Sequence, residues 1–488
     1  MESKKIIIDF LNFNNIDLSS FKEDKHLIIK FKFIRYFYEN NKNFNFKKFY
    51  DLLNKLTLFK SFELYLCLTS IKISTEQLNY LIDFIIHNDF IKNNIKKFKI
   101  SSESINNIIL KNFYDKLIVN CQKLYSLNIR LINQKNIIDG LNYLTDNLIH
   151  SNISSFSLNE SYINNSVMNN IINLIINNKL YKLSLKYCSF ENIDQFNVLS
   201  NALLVNNSLH KLLLSNNNLN KYIINIIENN KFIDYIDLSN TQIDNNIFKV
   251  ICNKLKCMKY IDLSNNYNLN NIEPIYDLLA NNNTLTYLKL HFTNITNFNP
   301  LINGLKLNNT LKTLIINSNS FDYESLINLL DLIKQNKSIT NLNISNIYFS
   351  SIIGNIEFIK NLCEILKYNN TITNIDISYN NINNGGYNSL INLIKNNNTI
   401  KYINMYSSNS DFMSQRQFND FNKALIKNNT LEYINIIGCI NNKIDLNPLY
   451  ESLQINNTIK TFGIDYDIIQ NDDKINKLTH KIHFICDY

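Results

Sequence analysis

Glycine is nearly missing from this chain, with 7 in 488 residues, beside only 3 prolines and no tryptophan. So few glycines, scattered along the chain, cannot build a loop that cradles phosphate. Neither Gly-x-Gly-x-x-Gly nor Gly-x-x-x-x-Gly-Lys occurs. Gly-x-Ser-x-Gly and His-Glu-x-x-His are absent too, which removes the common hydrolase and zinc-protease signatures. The seven histidines (His26, His87, His150, His210, His291, His480 and His483) suggest no catalytic pair, so no enzyme activity and no cofactor is expected. No apolar run reaches the roughly 18 residues of a membrane helix. Arginine is limited to Arg35, Arg130 and Arg416. Because bidentate phosphate and guanine contacts favour arginine, nucleic acid is not the expected partner.

The start of the chain lacks a secretion signal. Met-Glu-Ser-Lys-Lys is charged, and the apolar Ile6-Ile7-Ile8 stops at Asp9. The expected location is therefore cytoplasmic, a reducing compartment in which the eight cysteines stay free thiols.

What the chain does have is a repeat. Its clearest copy is Leu209-x-x-Leu212-x-Leu214-x-x-Asn217-x-Leu219. Leu212 and Leu214, two apart, point to the same side of an extended strand, while Leu213 and Ser215 point to the other. Asn217 falls where the chain leaves the strand, and its amide offers an acceptor and two donors to backbone groups exposed by the turn. Leu219 returns inward. So small a unit cannot bury its own edge and needs copies on both sides.

Those copies begin at Ile95, Leu124, Ile153, Leu180, Leu209, Ile233, Met258, Leu285, Leu311, Ile339, Ile372, Ile400, Leu431 and Ile459. The steps between them run from 24 to 33 residues. The intervening segments repeat as well. Ala202 to Leu209 reappears at Leu279 to Leu285, Leu366 to Ile372, Ile394 to Ile400, Leu425 to Leu431 and Leu453 to Ile459, each ending in Asn-Asn-Thr or a near variant. Pro274, Pro300 and Pro448 stand upstream of three of these segments, where a fixed φ and a missing N–H suit the first turn of a helix. Each repeat reads as strand, turn, helix and asparagine-rich exit. Asn-x-Ser/Thr sequons at Asn206, Asn282, Asn308, Asn369, Asn397, Asn428 and Asn456 are this exit repeated, and without secretion they should remain unmodified.

The pattern Leu-x-x-Leu-x-Leu-x-x-Asn/Cys-x-Leu, with a step near 28, resembles the leucine-rich repeats of the ribonuclease-inhibitor-like subclass, over roughly residues 91 to 470. The resemblance implies an α/β fold: a right-handed solenoid, or horseshoe, of about 14–15 repeats with a parallel concave sheet and convex helices. Cys188, Asn217, Asn266, Asn319, Asn380 and Cys439 occupy its turn position. Two copies depart from it. Ile347 stands at the Asn position of the repeat from Ile339, and the repeat from Ile400 has Ser408 there and no apolar closing residue, so local irregularity is expected.

The domain reading has three parts. Residues 1–56 form a basic, aromatic-rich helical cap, 57–470 the array (divergent before 91, with Leu64, Leu66 and Ile71 inward), and 471–488 a C-terminal cap. Net charge is +8, and the first 100 residues hold 17 Lys/Arg against 11 Asp/Glu. Lysines mixed with aromatics in Phe31 to Tyr38 could be read as a stacking surface for nucleic acid, but a cap with core aromatics and solvated lysines is preferred. At the far end Asp472 and Asp473 can begin a helix with Ile475, Leu478 and Ile482 on one face. His480, His483 and Cys486 lie three apart there, but three such residues on one short helix lack a fourth ligand, and no metal is expected.

The outward strand positions should carry function. Before the first inner residue stand Tyr235, Tyr260 and Tyr287 in consecutive repeats, then Tyr402 and Tyr433; between the inner residues stand Asp237, Asp262, Lys289 and Asp376. The tyrosines either cover the sheet, as β-propensity favours, or anchor a protein partner. The whole concave face is the expected binding surface of a monomeric, non-enzymatic interaction scaffold. Regulation of a small GTPase and substrate recognition for a ubiquitin ligase are the alternatives. The first lacks the acidic tail common in such proteins. For the second, residues 1–56 contain no proline, so the Leu-Pro opening usual in F-box-like modules is missing.

Overall fold

The computed structural model describes residues 4–9, 27–32, 62–68, 74–101, 105–132, 135–254, 257–349, 352–380, 382–407, 411–469, 474, 478 and 482–485. Side chains are described from residue 74 onward, except at 348–356. The chain divides into two compact units, Met1–Ile236 and Asp237–Tyr488.

In the first unit Lys4–Asp9, Leu27–Lys32, Phe62–Leu68, Ile95–Ser101, Ser126–Arg130, Ser155–Asn159, Lys182–Ser184 and Lys211–Leu213 pair in that order, every pair parallel. In the second, Tyr260–Asp262, Tyr287–Lys289, Thr313–Ile315, Asn341–Asn343, Asn374–Asp376, Tyr402–Asn404, Tyr433–Asn435, Thr461–Gly463 and His483–Ile485 do the same. From Phe62–Leu68 to Thr461–Gly463, helices separate the strands of the sheet, as parallel pairing requires. The helix Asn165–Ile176, for example, buries Val167, Met168, Ile171, Ile172, Leu174 and Ile175. Side-chain caps start several of them: Ser74 and Ser414 form capping boxes with Gln77 and Gln417, and Asn164, Asp322 and Asn383 each accept a first-turn N–H. Pro300 and Pro448 occupy the first helical turn as their fixed φ suggests.

All fourteen repeat-opening residues are at most 5% exposed. The hydrophobic period is therefore the core itself, with each repeat adding a layer.

Two sets of buried asparagines lock one layer to the next. At the turn, the Asn266 amide donates to Leu238 O and Leu263 O at 3.0 and 2.8 Å, while its oxygen accepts from Thr241 N and Ile243 N. Asn217, Asn319 and Asn380 likewise donate to a carbonyl of the preceding repeat at 2.6 to 2.7 Å. Cys188 and Cys439 replace the amide donor by a thiol, to Leu158 O at 3.1 Å and Met405 O at 3.0 Å. Ile347 has no such donor; its N–H instead donates to Asn380, so that turn is still held from one side. Ser408 lies outside the described residues.

The residue before each of these positions is left-handed. Tyr187, Asn216, Asn265, Ser318, Asn346, Tyr379 and Gly438 all have φ between 50° and 70°. Asparagine tolerates that region better than most residues, which adds a second reason for its abundance. At Gly438 a Cβ would lie 1.7 Å from Ser407 O, so only glycine fits there.

The second set sits at the helix exits. Asn397 is typical: its oxygen accepts from Thr399 N and Ile400 N, both at 2.8 Å, and its amide donates to Leu366 O and Asn369 O at 2.8 and 3.3 Å. Asn206, Asn308, Asn369, Asn428 and Asn456 repeat this bridge. These are six of the seven sequon asparagines, the seventh being Asn282, which donates to Met258 O, and each is at most 6% exposed. A glycan on such an amide would displace the bonds that join two repeats.

The ends differ from the sequence expectation. Two described segments of 1–56 are strands in register with Phe62–Leu68 rather than helices, the rest of that region lying outside the described residues. The β-branched run Ile6-Ile7-Ile8 and the alternation in Leu27–Lys32 favour pairing over a helix. At the other end Leu478 and Ile482 are buried, but His483 opens a strand paired with Thr461–Gly463, not a helix face. That strand covers an edge that would otherwise be open. Ile71, Asp472, Asp473, Ile475, His480 and Cys486 lie outside the described residues.

Candidate interaction face

Strand residues alternate between core and solvent, and parallel register stacks equivalent positions of neighbouring repeats about 4.8 Å apart. That spacing suits aromatic rings. Tyr260 and Tyr287 are register partners whose rings stack at 4.1 Å and 14°. Tyr402 and Tyr433 do the same at 4.0 Å and 11°. All four are partly exposed on the open face. Burial, and then the hydrogen bond with Tyr433, push the Tyr402 hydroxyl above the usual phenol range. It stays neutral at physiological pH. Tyr235, in the first unit, stands with the Lys211 ammonium 5.1 Å from its ring centre.

The acidic positions are built differently. Asp262 is 6% exposed and accepts from Ser264 N and Ser264 Oγ at 3.0 and 2.6 Å, closing an Asx turn at the strand exit. Asp237 with Ser239 and Asp376 with Ser378 repeat the turn. So does Asn343 with Ser345, which shows that the turn needs the oxygen and not the charge. Lys289 lies 3.5 Å from Asp262, so part of the acidic strip is neutralised within the face. Beside them His291 is held below its ordinary value, chiefly by burial.

The first unit presents the opposite charge. Register aligns Lys97, Ser126, Ser155, Lys182 and Lys211 in one row across five strands, and Lys99 in the row beside it. The Lys182 ammonium is pushed below its ordinary value by burial and then by Lys186, Lys211, Lys97 and Lys99. Lys211 also lies 5.7 Å from the Tyr181 ring centre, and Lys97 5.4 Å from that of Tyr125. Two carboxylates stand nearby: Glu160, after the middle strand, pairs with Arg130, and Asp234, one repeat beyond Lys211, lies 3.8 Å from His210. Sequence reasoning missed this patch because its members are spread over residues 97 to 211 and meet only through strand register.

Other chemistry finds little footing. Among the described residues no three of His, Cys, Asp and Glu gather as a metal-holding group. A cavity of about 520 Å³ on the helix side is lined by Lys249, Glu273, Pro274, Asp277 and Pro300 among others. It is shallow, with no histidine or cysteine in its wall. No described helix is long and apolar enough to cross a membrane.

A scan against protein-family models gives no match, and neither does a search of curated proteins. Similar solved structures include an internalin (inlF) of Listeria monocytogenes, at 18% identity and TM-score 0.36, covering 61% of this chain and 78% of that one. The Rad7 and Elc1 complex of yeast gives 14% identity and TM-score 0.46, covering 90% and 92%. Internalin C2 (inlC2) of Listeria monocytogenes gives 18% and 0.27, covering 39% and 70%. Likenesses this distant carry no weight beside the geometry of the chain itself. Buried aliphatics at the repeat openings, an Asn or Cys turn bonded to the preceding repeat, and a helix between parallel strands give the described residues an α/β fold of the leucine-rich-repeat kind.

Proposed function

We propose that this protein is a non-enzymatic interaction scaffold that takes a protein partner on the open face of its parallel sheet. The observation that carries this reading is the pair of tyrosine stacks, Tyr260–Tyr287 and Tyr402–Tyr433. Each presents a large, partly exposed aromatic area on strands whose backbone is fixed by neighbours on both sides. Tyrosine in such a setting is a frequent anchor of protein interfaces, and a rigid face loses little conformational freedom on binding. Asp237, Asp262, Lys289 and Asp376, of the same unit, would supply charged contacts between the anchors.

The test is affinity capture from the native cell with the full chain, comparing wild type with Tyr260→Ala/Tyr287→Ala and with Tyr402→Ala/Tyr433→Ala. Partner recovery should fall at least about tenfold, or 1.4 kcal/mol, in one of the two variants, with an unchanged melting curve. Undiminished recovery in both would sink the reading.

A further inference from the structure

We propose that the sheet face of the first unit binds an acidic polypeptide segment, its carboxylates set against Lys97, Lys99, Lys182, Lys186 and Lys211. This rests on the reading above, that the open sheet face is where protein docks, and adds the chemistry of what docks there.

Placement is the first argument. Parallel register puts three of these lysines in one row, and five strands at about 4.8 Å span roughly 19 Å, the length of about six extended residues. Ser126 and Ser155 lie in the same row, with Ser126 Oγ donating to Ser155 Oγ at 3.3 Å, so hydroxyls stand between the ammonium groups. Among the described residues no carboxylate forms an ion pair with Lys99, Lys182 or Lys211.

Stability is the second argument. Like charges brought together on a sheet repel, and burying one of them costs more. The Lys182 group bears both costs, from its own burial and from four neighbouring lysines. Glutamine there would fold with less strain, so charge retained against stability is what a binding surface looks like. In the second unit, by contrast, Lys289 is compensated by Asp262 at 3.5 Å.

Nearby carboxylates favour an acidic peptide over a nucleic acid. Glu160 follows the middle strand of the row and Asp234 lies one repeat beyond Lys211, and these carboxylates would oppose the continuous charge of a phosphate backbone, whereas an acidic segment need carry carboxylates only where lysines meet them. The cations are lysines, compact point charges suited to scattered carboxylates, without the arginine forks that grip phosphate in two places.

The experiment uses the full chain and a fluorescein-labelled oligoglutamate of roughly ten residues, about 33 Å when extended, read by fluorescence anisotropy at low salt. Wild type should bind, and affinity should fall steeply with added salt. Lys97→Gln/Lys182→Gln/Lys211→Gln should weaken binding at least about tenfold, or 1.4 kcal/mol, with a melting midpoint equal to or above that of wild type. Lys182→Arg should retain binding, as should Lys423→Gln on an exposed helix. No binding by wild type, or equal binding by the triple glutamine variant, overturns the proposal. So does tighter binding of a single-stranded oligouridylate through the same lysines. If the tyrosine variants lose their captured partner while the oligoglutamate fails to bind, the scaffold reading stands and only this inference falls.

Discussion

The side-chain amide of Asn266 donates to the backbone carbonyl of Leu238, 3.0 Å away and 28 residues earlier in the chain. The same side chain also accepts from Thr241 N and Ile243 N, so one buried residue ties an entire turn to its neighbour. Asn266→Ala removes the donor and the acceptor and leaves backbone groups unsatisfied, each costing about 1–3 kcal/mol. Asn266→Cys keeps a donor of the kind Cys439 supplies to Met405 O. Urea denaturation should therefore rank stability as wild type, then Cys, then Ala. Cys no better than Ala would mean that the inter-repeat donor contributes nothing.

Adjacent asparagines at a helix exit should behave oppositely. Asn397 is 3% exposed and makes four bonds, while Asn398 points to solvent. Asn397→Ala should cost about 2 kcal/mol or more. Asn398→Ala should stay within about 0.5 kcal/mol of wild type. Equal melting midpoints for the two variants would contradict the bridging role.

Asp262 separates fold from recognition. Asparagine performs the same turn at position 343, so Asp262→Asn should preserve the Ser264 bonds and shift the melting midpoint little. It removes the charge facing Lys289. Isothermal titration with the captured partner should then show weakened binding if that carboxylate takes part in recognition. A large fall in stability would instead make the charge structural.

Alkaline pH should destabilise the protein through its buried thiols. Burial pushes Cys121 and Cys439 up to about 12, and raises Cys252 and Cys363 as well. In the unfolded chain a thiol ionises near 8.5, so the unfolded state releases its protons first. The stabilisation is complete below about pH 8.5 and is lost progressively between there and pH 12, the raised value in the folded state. Tyr387 and Tyr402, also raised by burial, extend the loss above about pH 10. Chemical denaturation at a series of pH values checks this, and a flat profile from pH 8 to 11 would refute it. In the native protein a thiol reagent should modify the exposed Cys257 readily and the four buried thiols only after denaturation, so Cys257→Ser should remove one fast-reacting equivalent.

Much of this architecture could be read from the chain. The fourteen anchors, the turn residues Asn217, Asn266, Asn319 and Asn380, and the helices behind Pro300 and Pro448 follow from local spacing and local turn chemistry. The Asx turns at Asp237, Asp262 and Asp376 were open to the same reading, since each aspartate is followed two residues later by serine. The charge of these positions is the more visible attribute, but the Asp-x-Ser spacing encodes a turn. The lysine patch was beyond local reading: Lys97 and Lys182 are separated by 85 positions and meet only because intervening strands hold register. At Lys4–Asp9 and His483–Ile485 the competing influence was the sheet edge, which rewards any nearby β-prone segment with a full set of backbone bonds.

The asparagine bonds also have a direction. Each amide of the series reaches back toward lower residue numbers, from Asn456 to Leu425 O and from Asn428 to Ile394 O. Trimming the array from its front would strand side-chain donors, which can swing into water, whereas trimming from its rear would strand main-chain acceptors fixed within the preceding coil. The two truncations are therefore inequivalent, and unravelling should start more readily from the rear.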